Sequence, residues 1–212
     1  ASDVGPISLK PLAVVGAREH DDVRKAIRFA YGSGVPITAR GAGSGLPGQS
    51  VGSGIVLDMR GMDEMHLEGS HPDGGQVVFA QAGVICTRLN NFLKPHGVFL
   101  ASYPASTDMA TIGGMIANNA SGANSCKLGT TQHHVLDLHV VLADGTDLWT
   151  SDIDPSEEPW RQVAEMVRAK RQVVLEDFPR VPKNSSGYNV LDIVQQLDAG
   201  IPVDWTRLFA HS

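Results

Sequence analysis

The stretch VPITARGAGSGLPGQSVGSGIVLDM (35–59) places two apolar segments on either side of a loop, GAGSGLPGQSVGSG (41–54). The loop has six glycines in 14 residues and no charged side chain. The flanking segments, VPITAR (35–40) and GIVLDM (54–59), have the short apolar pattern of buried strands. This stretch therefore predicts two strands joined by a long glycine-rich connection.

A further strand and a helix precede this stretch. LAVVG (12–16) is predicted as a short strand. Residues 20–31 place apolar side chains on one helical face, at Val23, Ala26, Ile27 and Ala30. Asp21 and Asp22 suit the first turn of this helix, and Gly32 and Gly34 suit its end. A strand, a helix and a strand in this order predict a βαβ unit with parallel strands and a right-handed crossover.

The rest of the chain alternates between hairpins and helices. The turn SHPDGG (70–75) predicts a hairpin, and residues 84–95 predict a helix. VLDLHVVLADGTDLWT (135–150) predicts two strands around an Asp-Gly turn. Residues 158–177 predict one amphipathic helix.

Composition and charge narrow the possible functions. The chain has 212 residues, of which 42% are hydrophobic and 19% charged, as is ordinary for a globular protein. A formal net charge of -6 provides no basic field for a phosphate backbone. Nucleic acid is therefore not an expected partner.

Cysteine use and the first residues bear on the compartment. Cys86 and Cys126 form no CxxC pair, which fits neither a disulfide framework nor a zinc site and suits a reducing compartment. The start, ASDVGPISLK (1–10), lacks the pattern of a signal peptide, and no run approaches ~18 apolar residues. We expect a cytoplasmic protein without a transmembrane segment, attached to a membrane, if at all, only at its periphery.

The glycine-rich loop 41–54 has the composition of an anion-binding nest. Glycine adopts positive φ readily and lets a ligand approach the backbone, so successive amides can point into one concavity. Three or four amide bonds to charged oxygens, each worth about 1.5–3 kcal/mol, could hold a pyrophosphate without a lysine. The loop has no Walker Gly-Lys-Ser/Thr and only loosely approximates the Rossmann spacing. A flexible surface loop is the alternative.

A second unusual stretch is PASTDMATIGGMIANNASGANSCKLGTTQHHV (104–135). From Met109 to Leu136 it contains no acidic residue and one lysine. Its sparse apolar side chains, its paired glycines and its amide and hydroxyl donors suit a ligand with both flat apolar and polar surfaces. A long irregular loop is the alternative, although such loops are uncommon in compact domains unless they are functional.

The order of several short segments resembles a known family. These segments are PITARGAGSGLPGQ, GIVLDM, AQAGV, LNNFLKPHG, ATIGGMIANNASG and LGTTQHHVLDLHVVLADG. Together they resemble the FAD-binding domain of the vanillyl-alcohol oxidase, or PCMH-type, superfamily. Within it the chain is most similar to FAD-linked D-lactate, glycolate and D-2-hydroxyglutarate dehydrogenases.

The resemblance implies an α+β fold of two subdomains with FAD between them. The first subdomain, residues 1–60, would be a small parallel α/β layer that carries the first loop. The second, residues 61–212, would be a larger mixed or antiparallel sheet flanked by helices, cut short, and the substrate domain would be absent.

The resemblance also implies which residues hold FAD. From the first loop these would be Arg40, Gly41, Ala42, Gly43, Ser44, Gly45 and Leu46. From the second stretch they would be Pro104, Thr107, Thr111, Ile112, Gly113, Gly114, Asn118, Ser121 and Gly122. Relatives that tether FAD covalently through this half use a histidine in the first loop, and none lies between Arg40 and Gly54. We therefore expect non-covalent FAD. Leu128 stands where relatives often have tyrosine, and His133 stands where they often have aspartate. These two differences would change the contacts near the flavin ring.

The activity implied by the resemblance is oxidation of a small-molecule 2-hydroxy acid to a 2-oxo acid, with hydride transfer to flavin N5. Relatives continue past SGYN into a GSEGTLG segment and a substrate domain, so the catalytic residues are expected outside this chain. We expect the chain alone to bind FAD weakly or not at all and to leave substrate unchanged. Two alternatives remain: an NADPH-dependent reductase of the same fold acting on an enolpyruvyl sugar nucleotide, and a non-catalytic nucleotide-binding module.

Other candidate residues are weaker. His133, His134 and His139 suggest a metal site, but His134 and His139 would face opposite sides of one predicted strand, so no metal is expected. Ser-His-Asp catalysis lacks a GxSxG context. Lys183 and Tyr188 are candidates for the flavin or substrate edge, and packing explains Tyr188 equally well. The three tryptophans, Trp149, Trp160 and Trp205, suit core or interface positions better than contacts with a cofactor.

Overall fold

The structure, a computed structural model, describes residues 2–181, 184 and 187–210. A parallel sheet forms from β1 (Ala13–Gly16), β2 (Ile37–Arg40) and β3 (Ile55–Asp58). β3 lies in the middle, where Ile55 pairs with Ala13 on one side and with Ile37 on the other. The connection from β1 to β2 is α1 (His20–Ser33). The predicted strand–helix–strand unit is confirmed, with parallel strands.

The sequence explains where α1 begins and ends. The Asp22 carboxylate accepts hydrogen bonds from the Arg18 and Glu19 amides at 2.9 and 3.3 Å, which satisfies donors at the helix start. Gly34 ends the helix in the left-handed conformation, with φ of 64°. The apolar face of α1 covers the sheet, and the buried core there comprises Ala17, Val23, Leu57 and Met62.

A second core lies under the first hairpin. The hairpin consists of β4 (Met65–Ser70) and β5 (Gln76–Ala80), and its register shifts between Leu67 and Gly69. It packs with α2 (Cys86–Leu93) and α3 (Ile112–Ala117). The buried members of this core are Val84, Cys86, Leu89, Leu93, Ala110, Ile112 and Met115. The hairpin and the α2 helix predicted from the sequence are both confirmed.

The second hairpin is shorter than predicted. A short helix, α4 (Ser125–Leu128), and a 3-10 helix (Thr131–His134) precede β6 (His139–Val141) and β7 (Asp147–Trp149). The strand predicted from residue 135 begins only at His139. Before β6 the Asp137 carboxylate accepts bonds from the Leu138 amide at 2.8 Å and the Thr150 hydroxyl at 2.6 Å, and the Thr150 amide donates to the Leu138 carbonyl at 2.9 Å.

Four helices build the third core. They are α5 (Trp160–Ala169), α6 (Arg171–Asp177), α7 (Val190–Ala199) and α8 (Trp205–Phe209). The prediction of one helix over 158–177 is wrong, because Lys170 leaves the helical region at φ -104° and ψ 11°. The break lets α5 and α6 both pack against α7. The buried members are Trp160, Ala164, Val167, Ile193, Val194, Trp205 and Leu208.

The fold is α+β, as predicted, with one small parallel sheet and two antiparallel hairpins surrounded by helices. Within the described ranges, no helix combines the length and apolarity needed to cross a membrane.

Candidate cofactor-binding site

The glycine-rich loop starts at the carboxyl end of β2, the edge of a parallel sheet where ligands commonly bind. Within the described part of the chain, no acceptor is bonded to the amides of Gly41, Ala42, Gly43, Ser44, Gly45 and Leu46. These amides lie in a loop that is mostly half-buried or exposed, so they are open to a ligand. Such a run of open amides is what an anion-binding nest requires.

Two carbonyl bonds determine where amides of this loop point. The Arg40 carbonyl accepts from the Met59 amide at 2.8 Å, and the Gly43 carbonyl accepts from the Val4 amide at 3.1 Å. In a trans peptide the next N–H points opposite to the C=O. The Gly41 amide therefore points away from β3, and the Ser44 amide points away from Val4.

The Arg40 side chain supports the loop through three hydrogen bonds. Its Nη1 donates to the carbonyl and the hydroxyl of Ser50, both at 3.2 Å, and its Nη2 donates to the Ser2 carbonyl at 2.6 Å. The guanidinium lies so close to Gly43 that a Cβ there would stand 2.2 Å from Nη2. Gly43 also has φ of 70°, which favours glycine. Arg40 thus places a positive charge beside the loop, although its hydrogen bonds go to the protein.

The second stretch meets the first loop at two points. A Cβ on Gly41 would lie 2.1 Å from the Thr111 Oγ1, so the Thr111 side chain packs directly against the Gly41 backbone. Gln49 Nε2 donates to the Asn118 Oδ1 at 2.9 Å. Thr111 is also the N-cap of α3, where its hydroxyl accepts from the Gly114 amide at 3.3 Å. The structure therefore brings together residues that the sequence pointed to in separate segments.

Other predicted residues contribute less directly. The amides of Ile112 and Gly113 donate to the Val84 and Ala82 carbonyls at 2.8 and 2.9 Å, so these two donors are already used. The Ile112 side chain lies in the core. Any contact of these residues with a cofactor would come from the remaining surface of Gly113.

The remaining predicted residues are spread over both stretches. Gly122 lies against the chain at Tyr103 and Pro104, where a Cβ would stand 1.9 Å from the Tyr103 carbonyl oxygen. Thr107 accepts a bond from the Thr87 amide at 3.2 Å through its carbonyl. Ser121 is half-buried, and Leu46 in the first loop is 65% exposed. Lys183 lies outside the described residues, and Tyr188 is exposed.

The sequence counted Asn119 among the donors that the second stretch offers a ligand, but in the structure its side chain bonds to the protein. It is 2% exposed and has φ of 42°, a left-handed conformation that asparagine tolerates better than most residues. Its Nδ2 donates to the Asn184 carbonyl at 3.2 Å, and its Oδ1 accepts from the Gln132 amide at 3.1 Å. Asn119 therefore fixes the turn that follows Asn118.

His20 and His139 form a stacked pair that shares the Asp147 carboxylate. His20 Nε2 and His139 Nε2 contact the two Asp147 carboxylate oxygens at 2.6 and 2.5 Å, and the two rings stack 4.0 Å apart at 10°. The bond from His20, followed by that from His139, lowers the pKa of Asp147. His20, His139 and Asp147 place their possible ligand atoms within 4.8 Å of one another, which is close enough for a metal site, and the sequence did not group these three residues. The prediction that His134 shares a strand with His139 is wrong, because His134 belongs to the 3-10 helix.

Comparison with known proteins adds to this geometry. Residues 11–151 match the family described as FAD binding domain. The D-2-hydroxyglutarate dehydrogenase of Pseudomonas putida is 34% identical over 202 residues, which cover 85% of this chain and 19% of that protein. The D-lactate dehydrogenase of Archaeoglobus fulgidus is 35% identical over 144 residues, or 67% of this chain and 31% of that protein.

Among solved structures, 6-hydroxy-D-nicotine oxidase from Arthrobacter nicotinovorans has a TM-score of 0.61 to this chain at 23% identity. The match covers 75% of this chain and 33% of that one, and it shows a shared fold. The chain spans about a fifth of the length of the D-2-hydroxyglutarate dehydrogenases that it matches, 19% in one and 22% in another.

Proposed function

Because the chain belongs to the FAD binding domain family, we propose that it is the FAD-holding part of an enzyme that oxidises a 2-hydroxy acid to a 2-oxo acid. Two relatives named as dehydrogenases of D-2-hydroxyglutarate and D-lactate support this substrate class. Their names also favour oxidation of a hydroxy acid over the reductase and the non-catalytic module considered above.

The observation that carries the proposal is that the amides of residues 41–46 donate to no acceptor among the residues that the structure describes. These amides fit the pyrophosphate of FAD because they offer several donors in one loop beside the positive charge of Arg40. The amides of Gly41 and Ser44 are the strongest candidates, since the bonded carbonyls on their other sides fix their direction. Thr111 and Asn118 hold the second stretch against this loop.

A bound FAD would supply the redox chemistry by accepting at N5 the hydride that leaves the substrate α-carbon, while the hydroxyl proton passes to a base. This chain contributes binding and orientation, and we assign no catalytic acid or base to it. Binding is proposed to be non-covalent, because the loop has no histidine between Arg40 and Gly54. The electron acceptor is left open, and a cytoplasmic location remains part of the proposal.

We also propose that the boundary between the two subdomains lies at residue 60. The parallel sheet and α1 enclose the buried side chains of Ala17, Val23 and Leu57, and the first hairpin encloses a different core. Met62 and Val141 join the first of these cores from beyond the boundary, so the two subdomains would share a packed interface.

The first experiment is a titration of the chain with FAD, followed by flavin fluorescence and absorbance. Saturable binding, with all flavin released into the supernatant on acid precipitation, is the expected result. Riboflavin, which lacks the pyrophosphate, serves as the matched control and should bind much more weakly. Equal binding of riboflavin and FAD would contradict a pyrophosphate site at residues 41–46.

The activity is tested in the complete enzyme that contains this chain. Anaerobic addition of D-2-hydroxyglutarate or D-lactate should bleach the flavin absorption, and an equal amount of the corresponding 2-oxo acid should form. Bleaching by NADPH, with no response to either hydroxy acid, would instead support the reductase.

A further inference from the structure

The first described residues form an arm over the glycine-rich loop. We call residues 2–8 the N-terminal arm. An antiparallel bridge joins Ser2 to Ser8, and the Gly5 amide donates to the Asp3 Oδ1 at 2.8 Å, which closes a turn between them. The arm is therefore a shaped element with its own hydrogen bonds.

The arm contacts the loop along its carbonyl side. The Val4 amide donates to the Gly43 carbonyl at 3.1 Å. A Cβ on Gly5 would lie 2.0 Å from the Leu46 carbonyl oxygen, so the two backbones are in close contact there. Farther along, the Ile7 Cδ1 would stand 2.6 Å from a Cβ on Gly48.

The Arg40 guanidinium is hydrogen-bonded both to the arm and to the loop. Its Nη2 holds the Ser2 carbonyl, while its Nη1 holds Ser50 at the other end of the glycine-rich segment. The arm, the guanidinium and the loop thus form one bonded unit on the side opposite to the Ser44 amide. Removing one of these bonds should free the loop without touching its amide surface.

From these contacts we propose that the N-terminal arm is a positioning element for the pyrophosphate-binding loop. By holding the Gly43 carbonyl, it aims the Ser44 amide at the cofactor before the cofactor arrives. This inference rests on the proposed function, namely that residues 41–46 bind FAD. Ordering a residue costs conformational entropy, and glycine loses the most freedom, so a glycine-rich loop gains more than most from such a support.

The geometry distinguishes support from obstruction. An arm that competed with a phosphate would place its carboxylate, Asp3, on the loop amides. Instead Asp3 Oδ1 accepts from Gly5, and the buried Oδ2 has no hydrogen-bond partner in the described part of the chain. No amide of 41–46 donates to Asp3 within that part. The arm leaves the amide side of the loop uncovered by its acceptor groups.

The decisive variant is Val4→Pro in the full chain, because proline removes the amide that holds Gly43. Val4→Ala is the matched control, since it shortens an exposed side chain and keeps the amide. Loss of one neutral hydrogen bond should weaken FAD binding about three- to tenfold in V4P, and V4A should match the wild type. The measurement is a fluorescence titration with FAD.

A second measurement needs no cofactor. Amide nitrogen relaxation should give Ser44 an order parameter near ~0.85 in the wild type and V4A, and below ~0.6 in V4P. Gly5→Ala should act like V4P by pushing the Leu46 carbonyl away. Gly32→Ala is its control, because a Cβ there meets nothing within 4 Å.

The outcomes separate the two proposals. If the wild type binds FAD and V4P binds it equally or more tightly, the arm does not position the loop and the inference fails. If neither this chain nor the complete enzyme that contains it binds FAD, the proposed function fails. In that case the order parameters decide alone whether the arm holds the loop, and equal values in V4P and V4A would overturn it.

Discussion

Gly41→Ala is the substitution that most directly tests how the two halves of the site meet. The new Cβ would stand 2.1 Å from the Thr111 Oγ1, where carbon contacts need about 3.5 Å, so the groups must separate by about 1.4 Å. Thr111 also caps α3. Either the cap moves or the loop moves, and both routes displace residues that we assign to FAD.

The magnitude follows from the groups involved. Overpacking a close contact costs about 1–3 kcal/mol of folding stability. If the loop yields, at least one amide bond to the cofactor is lost, worth about 1.5–3 kcal/mol for a charged acceptor. At about 1.4 kcal/mol per factor of ten, FAD affinity should fall about tenfold to 150-fold. Gly75→Ala is the control, because a Cβ there meets nothing within 4 Å.

A double-mutant cycle makes this prediction specific to the contact. Thr111→Ala removes the oxygen, and the nearest atom to the new Cβ is then the residue 111 Cβ, at 3.3 Å. The G41A/T111A double variant should therefore bind FAD more tightly than the two single effects imply. Titration of the four proteins, with thermal melts beside them, gives the coupling. A coupling of zero would refute the contact as the cause, and unchanged affinity in G41A would refute the site.

Three further predictions concern stability. Asp137→Ala should lower the free energy of unfolding, measured in urea, by about 2–4 kcal/mol, because it removes charged hydrogen bonds from Leu138, Thr150 and Ser151. Burial alone would raise the pKa of Asp137, but the bonds from Ser151 and Thr150 lower it overall. The stabilisation by Asp137 is therefore complete above the ordinary aspartate pKa of about 3.9 and is lost as the pH falls through the lowered value. The difference in the free energy of unfolding between wild type and D137A should persist at pH 5 to 7 and shrink only below about pH 4. Asn119→Gly should destabilise less than Asn119→Ala, by about 1 kcal/mol in melts, because both lose the same side-chain bonds and only alanine is strained at positive φ; equal losses would contradict strain at this position.

The sequence pattern correctly predicted the helices and hairpins that depend mainly on residues within or beside them. The apolar period of α1, its acidic first turn and Gly34 at its end place that helix to within two residues. The two hairpins follow from turn residues between apolar segments. Where a bond over longer range decides, the pattern was misleading. The amphipathic pattern over 158–177 is continuous, but the helix breaks at Lys170, and α5 and α6 each pack against α7. Asp137 accepts a bond from Thr150, which lies beyond β7, and β6 begins only after Asp137.

The candidate site shows the same division. The two glycine-rich stretches were recognisable from composition and order, but their contact through Gly41 and Thr111 was not. Nor was the arm over the loop, since Val4 and Gly43 are joined by a single backbone bond with no side-chain pattern. Backbone-to-backbone contacts leave only one trace in a sequence, a glycine where a Cβ would not fit.

The structure gives the glycines of this site a different role from the one that the sequence suggested. From the sequence, they suggested room for a ligand to approach the backbone. In the structure, a Cβ on Gly41 would meet Thr111, and a Cβ on Gly122 would meet the Tyr103 carbonyl, so at these positions the space is taken by the protein itself. Close backbone contacts hold carbonyl groups against neighbouring segments, and trans peptides then turn the following amides outward. The glycines would therefore serve FAD indirectly, by packing the protein tightly enough behind the loop to fix the direction of its donors.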